Sequence, residues 1–240
     1  MTRHIGEIWV YLQTSPLLWL TLTVAVYALA AWLYGRSGSF PLLHPVLVAV
    51  VLIVALLRVT HVSYERYFEG AQFVHFLLGP ATVALALPLY RHLGHVRRSL
   101  VPIVVAIAAG SFVAALSGMW IAHALGADTD VVLSIAPKSV TTPVAMAISQ
   151  LLGGYPSLTA ALVILTGIIG AVLAAPLFAI VRVRDERARG LALGTAAHGI
   201  GTARALQESQ LAGAFAGLAM GVNALLSAVV LPLLVPLLVH

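Results

Sequence analysis

Seven stretches of the chain are nearly unbroken runs of apolar residues: Leu17 to Tyr34, Pro41 to Leu57, Phe73 to Tyr90, Leu100 to Ala122, Val131 to Leu152, Leu158 to Val181 and Leu211 to Val239. None alternates polar and apolar residues as a half-buried strand does, and each is far longer than a core strand. A hydrocarbon layer of about 30 Å takes roughly 20 apolar residues in a helix. The pattern predicts helices that cross or enter a bilayer.

Two runs are not plain spans. Phe73 to Tyr90 is interrupted by Gly79-Pro80 and by Pro88, and Val131 to Leu152 carries Pro137 and Pro143 around Lys138-Ser139-Val140-Thr141-Thr142. Proline removes a backbone donor and clashes with the preceding turn. In lipid the freed backbone groups must be satisfied within the protein or line a wet cavity. Charge supplies a parity test. Arg91, Arg97 and Arg98 form one basic cluster, and Arg182, Arg184, Arg187 and Arg189 form another around Asp185 and Glu186. The positive-inside rule puts both clusters in the cytoplasm. Leu100 to Ala122 then leads outward and Leu158 to Val181 leads back, so Val131 to Leu152 must enter and leave on the outer side. The same reasoning, with Arg58 and Arg66 ahead of it, makes Phe73 to Tyr90 re-entrant from the inner side. Val83-Ala84-Leu85-Ala86-Leu87-Pro88 through Gly94 aligns at constant offset with Thr142-Pro143-Val144-Ala145-Met146-Ala147 through Gly153. These segments predict two repeats of opposite direction, over residues 73–122 and 131–181.

The expected fold is therefore all-α: a polytopic helical membrane protein with inverted repeats and broken or re-entrant helices. Residues 1–240 form one integral membrane domain. Residues 1–72 hold the first helices and a linker, and 73–240 form a core that ends in a glycine-rich segment. The first run contains Ala28-Leu29-Ala30, which resembles a signal-peptidase site, but its long leader carries Glu7 as well as Arg3 and further spans follow; a retained helix is expected.

Composition agrees: 61% of residues are hydrophobic and 9% charged, against about 25% charged in soluble domains. The net charge of +5 sits in short clusters between apolar runs, so we read loop charges and no nucleic-acid footprint. Cysteine is absent, which removes disulfides, thiolate metal sites and cysteine nucleophiles. No P-loop, metalloprotease motif or Gly-x-Ser-x-Gly elbow supports an enzyme.

Lys138 is the single charge between Val131 and Val181. A lysine at membrane depth is costly, about 3 kcal/mol on insertion scales. With the hydroxyls of Ser139, Thr141 and Thr142 and a helix start near Pro143, it suits an anion; the plainer alternative is a lysine that snorkels to the surface. The second constellation runs from Gly190 to Leu206. Its dense small residues allow close backbone approach, and Gly199 and Gly201 predict a break beside His198, Thr202 and Arg204. Arg204 offers a fork for a carboxylate or a partner for Glu208 four residues on. His198 would donate a hydrogen bond, titrate, or serve only in packing. Asn223 is a lone polar group at depth, suited to helix packing or to substrate. His61, Glu65 and Glu69 fall on one helical face and read as an interfacial helix. His92 and His95, among arginines, are discounted as metal ligands. No cofactor or metal is expected.

The blocks Leu78 to Ala86, Pro137 to Pro143, Leu165 to Ala171 and Ala188 to Ala205 resemble, in order, the signature blocks of the LrgB/CidB family. The resemblance covers the chain from about Phe73 onward. It implies one of two functions. Bacterial members are described as antiholin-like or holin-like partners of a small LrgA/CidA-type membrane protein, linked to murein hydrolase activity and lysis. Plastid members are similar and move glycolate and glycerate, and bacterial relatives are associated with small carboxylates such as pyruvate. The residues favour a carrier of small monocarboxylates in the cytoplasmic membrane, with a homo-oligomer expected, and with Lys138, Ser139, Thr141, Thr142, His198, Thr202, Arg204 and Asn223 at the substrate. The rival is an antiholin-like regulator of murein hydrolase activity.

Overall fold

The structure is a computed structural model that describes residues 15–38, 40, 43–77, 80, 83–84, 86–91 and 93–239. It contains two compact units, residues 1–84 and 85–240, and the described residues form helices with no strand. Among the described residues four helices are long and apolar enough to cross a membrane: Pro16–Arg36, Leu100–Ala124, Pro156–Ile180 and Gln210–Leu238. The protein is an all-α, multi-pass membrane protein.

The first unit holds α1 (Pro16–Arg36), α2 (Pro45–Thr60) and α3 (Tyr64–Phe76). Both α1 and α2 open on a proline, where the missing N–H would have had no helical partner. Trp19 of α1 is buried and meets the Tyr67 ring edge-on at 6.0 Å, while the Thr23 and Tyr67 hydroxyls lie 3.1 Å apart. His61 caps α2 in the left-handed region at φ 54°. It precedes α3, so it does not share a helical face with Glu65 and Glu69 as periodicity had suggested.

The second unit begins with the short helices α4 (Ala86–Arg91) and α5 (Leu93–Arg98), followed by α6 (Leu100–Ala124), α7 (Thr129–Ile135), α8 (Thr142–Leu152), α9 (Pro156–Ile180), α10 (Glu186–Glu208) and α11 (Gln210–Val239). Within this unit α6 and α11 run from the end that carries Arg98 and Arg182 to the end that carries Asp128 and Asp130, and α9 runs back. The packing shows this. Val96, Ile103 and Ile107 cluster with Phe215 and Ala219 at the basic end, whereas Ala115, Met119 and Ala122 cluster with Leu231 and Val235 at the acidic end.

Between these long helices lie two helical hairpins. The first is α7 and α8. At about 1.5 Å per residue, seven and eleven residues reach only part way through a 30 Å layer. The chain reverses at residues 136–141 and returns, so that the Tyr155 hydroxyl donates to Asp130 at 3.1 Å. A hydroxyl node fastens the hairpin to α9. The Tyr155 N–H donates to the Ser134 hydroxyl at 2.7 Å, and the Thr159 hydroxyl donates to the Ser134 carbonyl at 2.8 Å and lies 2.8 Å from the Ser149 hydroxyl. All three side chains are buried. Gly154 must be glycine there, since a Cβ would lie 2.8 Å from both serine hydroxyls. The segment Val131 to Leu152 thus enters and leaves at one end, as the charge parity required.

The second hairpin is α10. His198 adopts φ 42° and ψ −130°, a region that costs an L-residue energy and persists only where surrounding contacts hold it. There the helix folds back on itself: residues 186–197 lead inward and 199–208 return. Gly201 lies beside Leu193 and Ala197 of the first arm, and at the open end Arg189 pairs with Glu208 at 2.8 Å. The first arm packs on α11 through bare backbone, because Cβ atoms at Gly190 and Gly194 would run into the Ala212 and Ala216 peptide groups. The sequence predicted a break here but not a reversal. The hairpin from the basic end had been expected at Phe73 to Tyr90. Residues 78–79, 81–82 and 85 of that segment lie outside the described residues, as does residue 92 of the stretch that aligned with 142–153; most of the remainder of that stretch falls in α4 and α5.

Candidate functional site

The tips of the two hairpins meet halfway along the long helices. Asn223, near the middle of α11 and 1% exposed, donates through its amide nitrogen to the Ser139 carbonyl at 3.2 Å and to the Thr195 carbonyl at 3.1 Å. Ser139 belongs to the first tip and Thr195 to the second. Both neighbours are carbonyl oxygens, which dictates that the NH₂ of Asn223 faces them. Its oxygen then accepts from Ser227 at 3.4 Å, and Ser227 lies 3.2 Å from the Ser111 hydroxyl on α6. One amide therefore joins α11, α6 and both hairpins.

Lys138 stands at the first tip. Its ammonium donates to the Ala114 carbonyl of α6 at 2.6 Å. Gly118, one turn further on, makes room for the stem, since a Cβ there would lie 2.9 Å from Lys138 Cε and 3.2 Å from Nζ. Among the described residues no carboxylate is within ion-pair distance of this ammonium, which has three protons to donate. Thr141 caps α8 without a side-chain hydrogen bond to the helix, and Pro143 occupies its first turn. The positive end of α8, the Thr141 and Thr142 hydroxyls and Lys138 thus share one tip, and the two threonines are partly accessible. Ser139 is buried and contributes its carbonyl to the bridge.

The second tip is held against α9. His198 is buried with Nε2 2.9 Å from the Val163 carbonyl. That carbonyl only accepts, so Nε2 carries the proton, and a neutral ring presents Nδ1 as an acceptor. Gly167 gives the ring its place, since a Cβ there would lie 2.8 Å from Cε1 and Nε2. Thr202 donates to the His198 carbonyl at 2.8 Å, tying its side chain back to the reversal.

Arg204 is not at the tip. Six residues beyond His198 it lies about 9 Å further along the arm, where its guanidinium is 3.6 Å from Glu208 and 3.5 Å from Gln207. Of the two roles open to it in the sequence, the structure forms the pair with Glu208. Lys138, Ser139, Thr141, Thr142, His198, Thr202 and Asn223 all belong to the two tips or to the bridge between them.

Sequence reasoning missed Ser111, Thr195 and Ser227, which complete the polar network, and Ser134, Ser149 and Thr159, which fasten the first hairpin. Their signal was weak: isolated small hydroxyl residues within apolar helices, the type that joins helices in lipid. Outside the spanning segments, Asp185 caps α10 by accepting from the Arg187 N–H at 2.9 Å. The Arg187 guanidinium and backbone hold its carboxyl down to about 2. At the acidic end the hydrogen bond to Asp130, together with its charge, pushes the Tyr155 phenol upward.

Comparison with known proteins gives a consistent picture. The sequence model described as the LrgB-like family matches residues 23–237. Over 214 residues, 89% of this chain and 93% of the relative, the chain is 42% identical to the uncharacterized protein YxaC of Bacillus subtilis (strain 168). It is 39% identical to YwbG of the same organism over 90% of this chain and 95% of the relative. It is 33% identical to the antiholin-like protein LrgB of Bacillus cereus (strain B4264) over 92% and 96%. No solved structure matches.

Proposed function

The chain belongs to the LrgB-like family, and on that premise we propose that it is a secondary carrier of small monocarboxylates of the pyruvate, glycolate or glycerate class. The observation that carries this reading is the Lys138 ammonium at half-membrane depth, at the joined tips of two hairpins that enter from opposite ends. An uncompensated cation at that depth is expensive to insert, and the cost is offset when an anion binds. Carriers commonly place substrate where broken helices meet, with half-helix N-termini turned to the anionic group.

In this mechanism Lys138 and the first turn of α8 take the substrate carboxylate. The Thr141 and Thr142 hydroxyls donate to the oxygen on the neighbouring carbon, and His198 Nδ1 accepts from it where it is a hydroxyl, as in glycolate and glycerate. Asn223 holds the tips in register, and Ser139 and Thr202 secure the backbone on either side. Arg204 acts with Glu208 at the open end of the second hairpin and leaves the substrate to Lys138. Alternating access follows if one hairpin loosens toward its own side while the other stays closed. The basic end is read as the cytoplasmic one by the positive-inside rule, and the proposed carrier is one of the cytoplasmic membrane.

The test is uptake of labelled pyruvate, glycolate and glycerate into proteoliposomes. Saturable flux with the wild-type chain, lost in Lys138→Gln while folding and insertion persist, is expected. Unchanged flux in that variant refutes the reading. The names of several relatives favour a second one, an antiholin-like regulator of murein hydrolase activity, which would act with an LrgA/CidA-type partner. Such a protein shows no saturable, carboxylate-specific flux in the same assay.

A further inference from the structure

At the basic end, where α9 stops and α10 begins, a cavity of about 480 Å³ is lined by Phe178, Ala179, Arg182, Val183, Arg184 and Arg189, among others. It plays no part in the carrier mechanism above. The turn that builds it is specific. The Val183 N–H bonds the Phe178 carbonyl at 3.0 Å and the Arg182 N–H bonds the Ala179 carbonyl at 3.3 Å, with Arg182 itself left-handed at φ 57°. A conformation that favours glycine is here given to an arginine.

The charges around the cavity are unbalanced. Asp185 is taken by Arg187 at 2.6 Å, Glu186 accepts from the Ser209 hydroxyl at 2.6 Å, and Glu208 is shared between Arg189 and Arg204. Among the described residues Arg182 and Arg184 have no carboxylate partner. Arg189 is fixed in place: its guanidinium lies 5.1 Å over the Phe178 ring and one terminal nitrogen binds Glu208. Its Nε is nevertheless buried with no hydrogen-bond partner. Oε1 of Glu208, its ion-pair partner, is likewise buried without a hydrogen-bond partner, so neither unpaired atom opens onto the cavity and the accessible charge there belongs to Arg182 and Arg184. Guanidinium groups match the oxygens of a phosphate by geometry as well as charge. The wall formed by Ala175, Phe178 and Ala179 belongs to a membrane-crossing helix whose neighbouring Leu177 and Ile180 are exposed, a surface for acyl chains beside the charged group.

We propose that this pocket binds a phosphate group, presented by an anionic phospholipid of the adjoining leaflet. Basic pockets at the ends of spanning helices are suited to such headgroups. The full chain is placed in nanodiscs of phosphatidylcholine, with and without phosphatidylglycerol, and retained lipid is counted by native mass spectrometry. Inorganic phosphate is added in a parallel phosphatidylcholine arm read by melting midpoint. We expect at least a tenfold preference for retained phosphatidylglycerol, lost in R182Q/R184Q, reduced in R182K/R184K, which keeps the charge without the guanidinium fork, and unaffected in R97Q/R98Q. A midpoint rise with inorganic phosphate, lost in R182Q/R184Q, supports the same phosphate pocket but assigns its source to a soluble anion. Three results overturn the proposal: no response to either source in the wild-type chain, equal retention in R182Q/R184Q, or an equal loss in R97Q/R98Q, which would mark diffuse surface charge. The melting midpoint of R182Q/R184Q in phosphatidylcholine alone separates a fold defect from lost binding: an unchanged midpoint with lost preference supports the pocket.

Discussion

Replacing Asn223 by alanine removes the donor that holds both hairpin tips. Two hydrogen bonds disappear, at 3.2 and 3.1 Å, and the Ser139 and Thr195 carbonyls are left facing an apolar gap. In water-soluble cores an orphaned buried group costs about 1–3 kcal/mol. Within membranes, interhelical hydrogen bonds average about 0.6 kcal/mol with a maximum near 1.7. Adding two such bonds and the loss of packing gives a total of about 2–3 kcal/mol. Domains of 150–250 residues lose about 2–4 °C per kcal/mol, so a drop on the order of 4–12 °C in the detergent melting midpoint is expected. Asn223→Asp should be worse than Asn223→Ala, because an ionised carboxylate only accepts and would oppose two carbonyl oxygens. Thermal unfolding of the purified variants, read beside proteoliposome uptake, checks both points. If Asn223→Ala keeps the wild-type midpoint and flux, the bridge does not hold the tips and the account of the site is wrong.

Further consequences concern packing, the outer hydroxyl node and the exposed cap. Gly194→Val puts a side chain where even a Cβ would run into the Ala216 carbonyl oxygen, so the first arm of α10 must move off α11; a loss of about 1–3 kcal/mol should appear in thermal unfolding, and Ala196→Val at an exposed position of the same arm should have little effect. Thr159→Val keeps the shape but withdraws the hydroxyl shared by Ser134 and Ser149; a cysteine pair placed at exposed positions 130 and 155 should then cross-link more slowly than in the parent. Asp185 has a folded-state value of about 2, below the ordinary carboxylate range. Its contribution is therefore complete at neutral pH and is lost as pH falls from about 4 through 2. Asp185→Ala should cost about 1 kcal/mol at pH 7 as a lost helix cap, a value reduced by exposure, and should flatten this part of the acid limb in a pH-resolved melting series.

How much was legible depends on the kind of information each feature needs. The class of the protein, its long spans and the reversal of Val131 to Leu152 were readable because they rest on quantities that run along one chain: apolar length, the positions of Pro137 and Pro143, and the alternation of charge clusters. Lys138 was conspicuous for the same reason, as a charge with no others near it in sequence. The break at His198 was readable from its glycines, but the direction of the chain after the break was not, since a kink and a reversal use the same residues. Charges at both ends of α10, with small residues between, were the available sign that the two ends lie together.

The partners of the polar groups were decided only by the tertiary structure. Arg204 had a substrate and Glu208 open to it, and the fold-back of α10 brought Arg189 to that same carboxylate, which made the mouth of the hairpin its place. Asn223 had no stated partner until two tips, 84 and 28 residues away in sequence, converged on it. Burial in lipid demands that each polar group be satisfied, yet many small hydroxyl and carbonyl groups could do so, and the choice among them is made by proximity in space. Local hydrophobicity and proline placement thus set which segments enter the membrane and where they break, while the packing of glycine-bared backbones set which polar atoms meet at its centre.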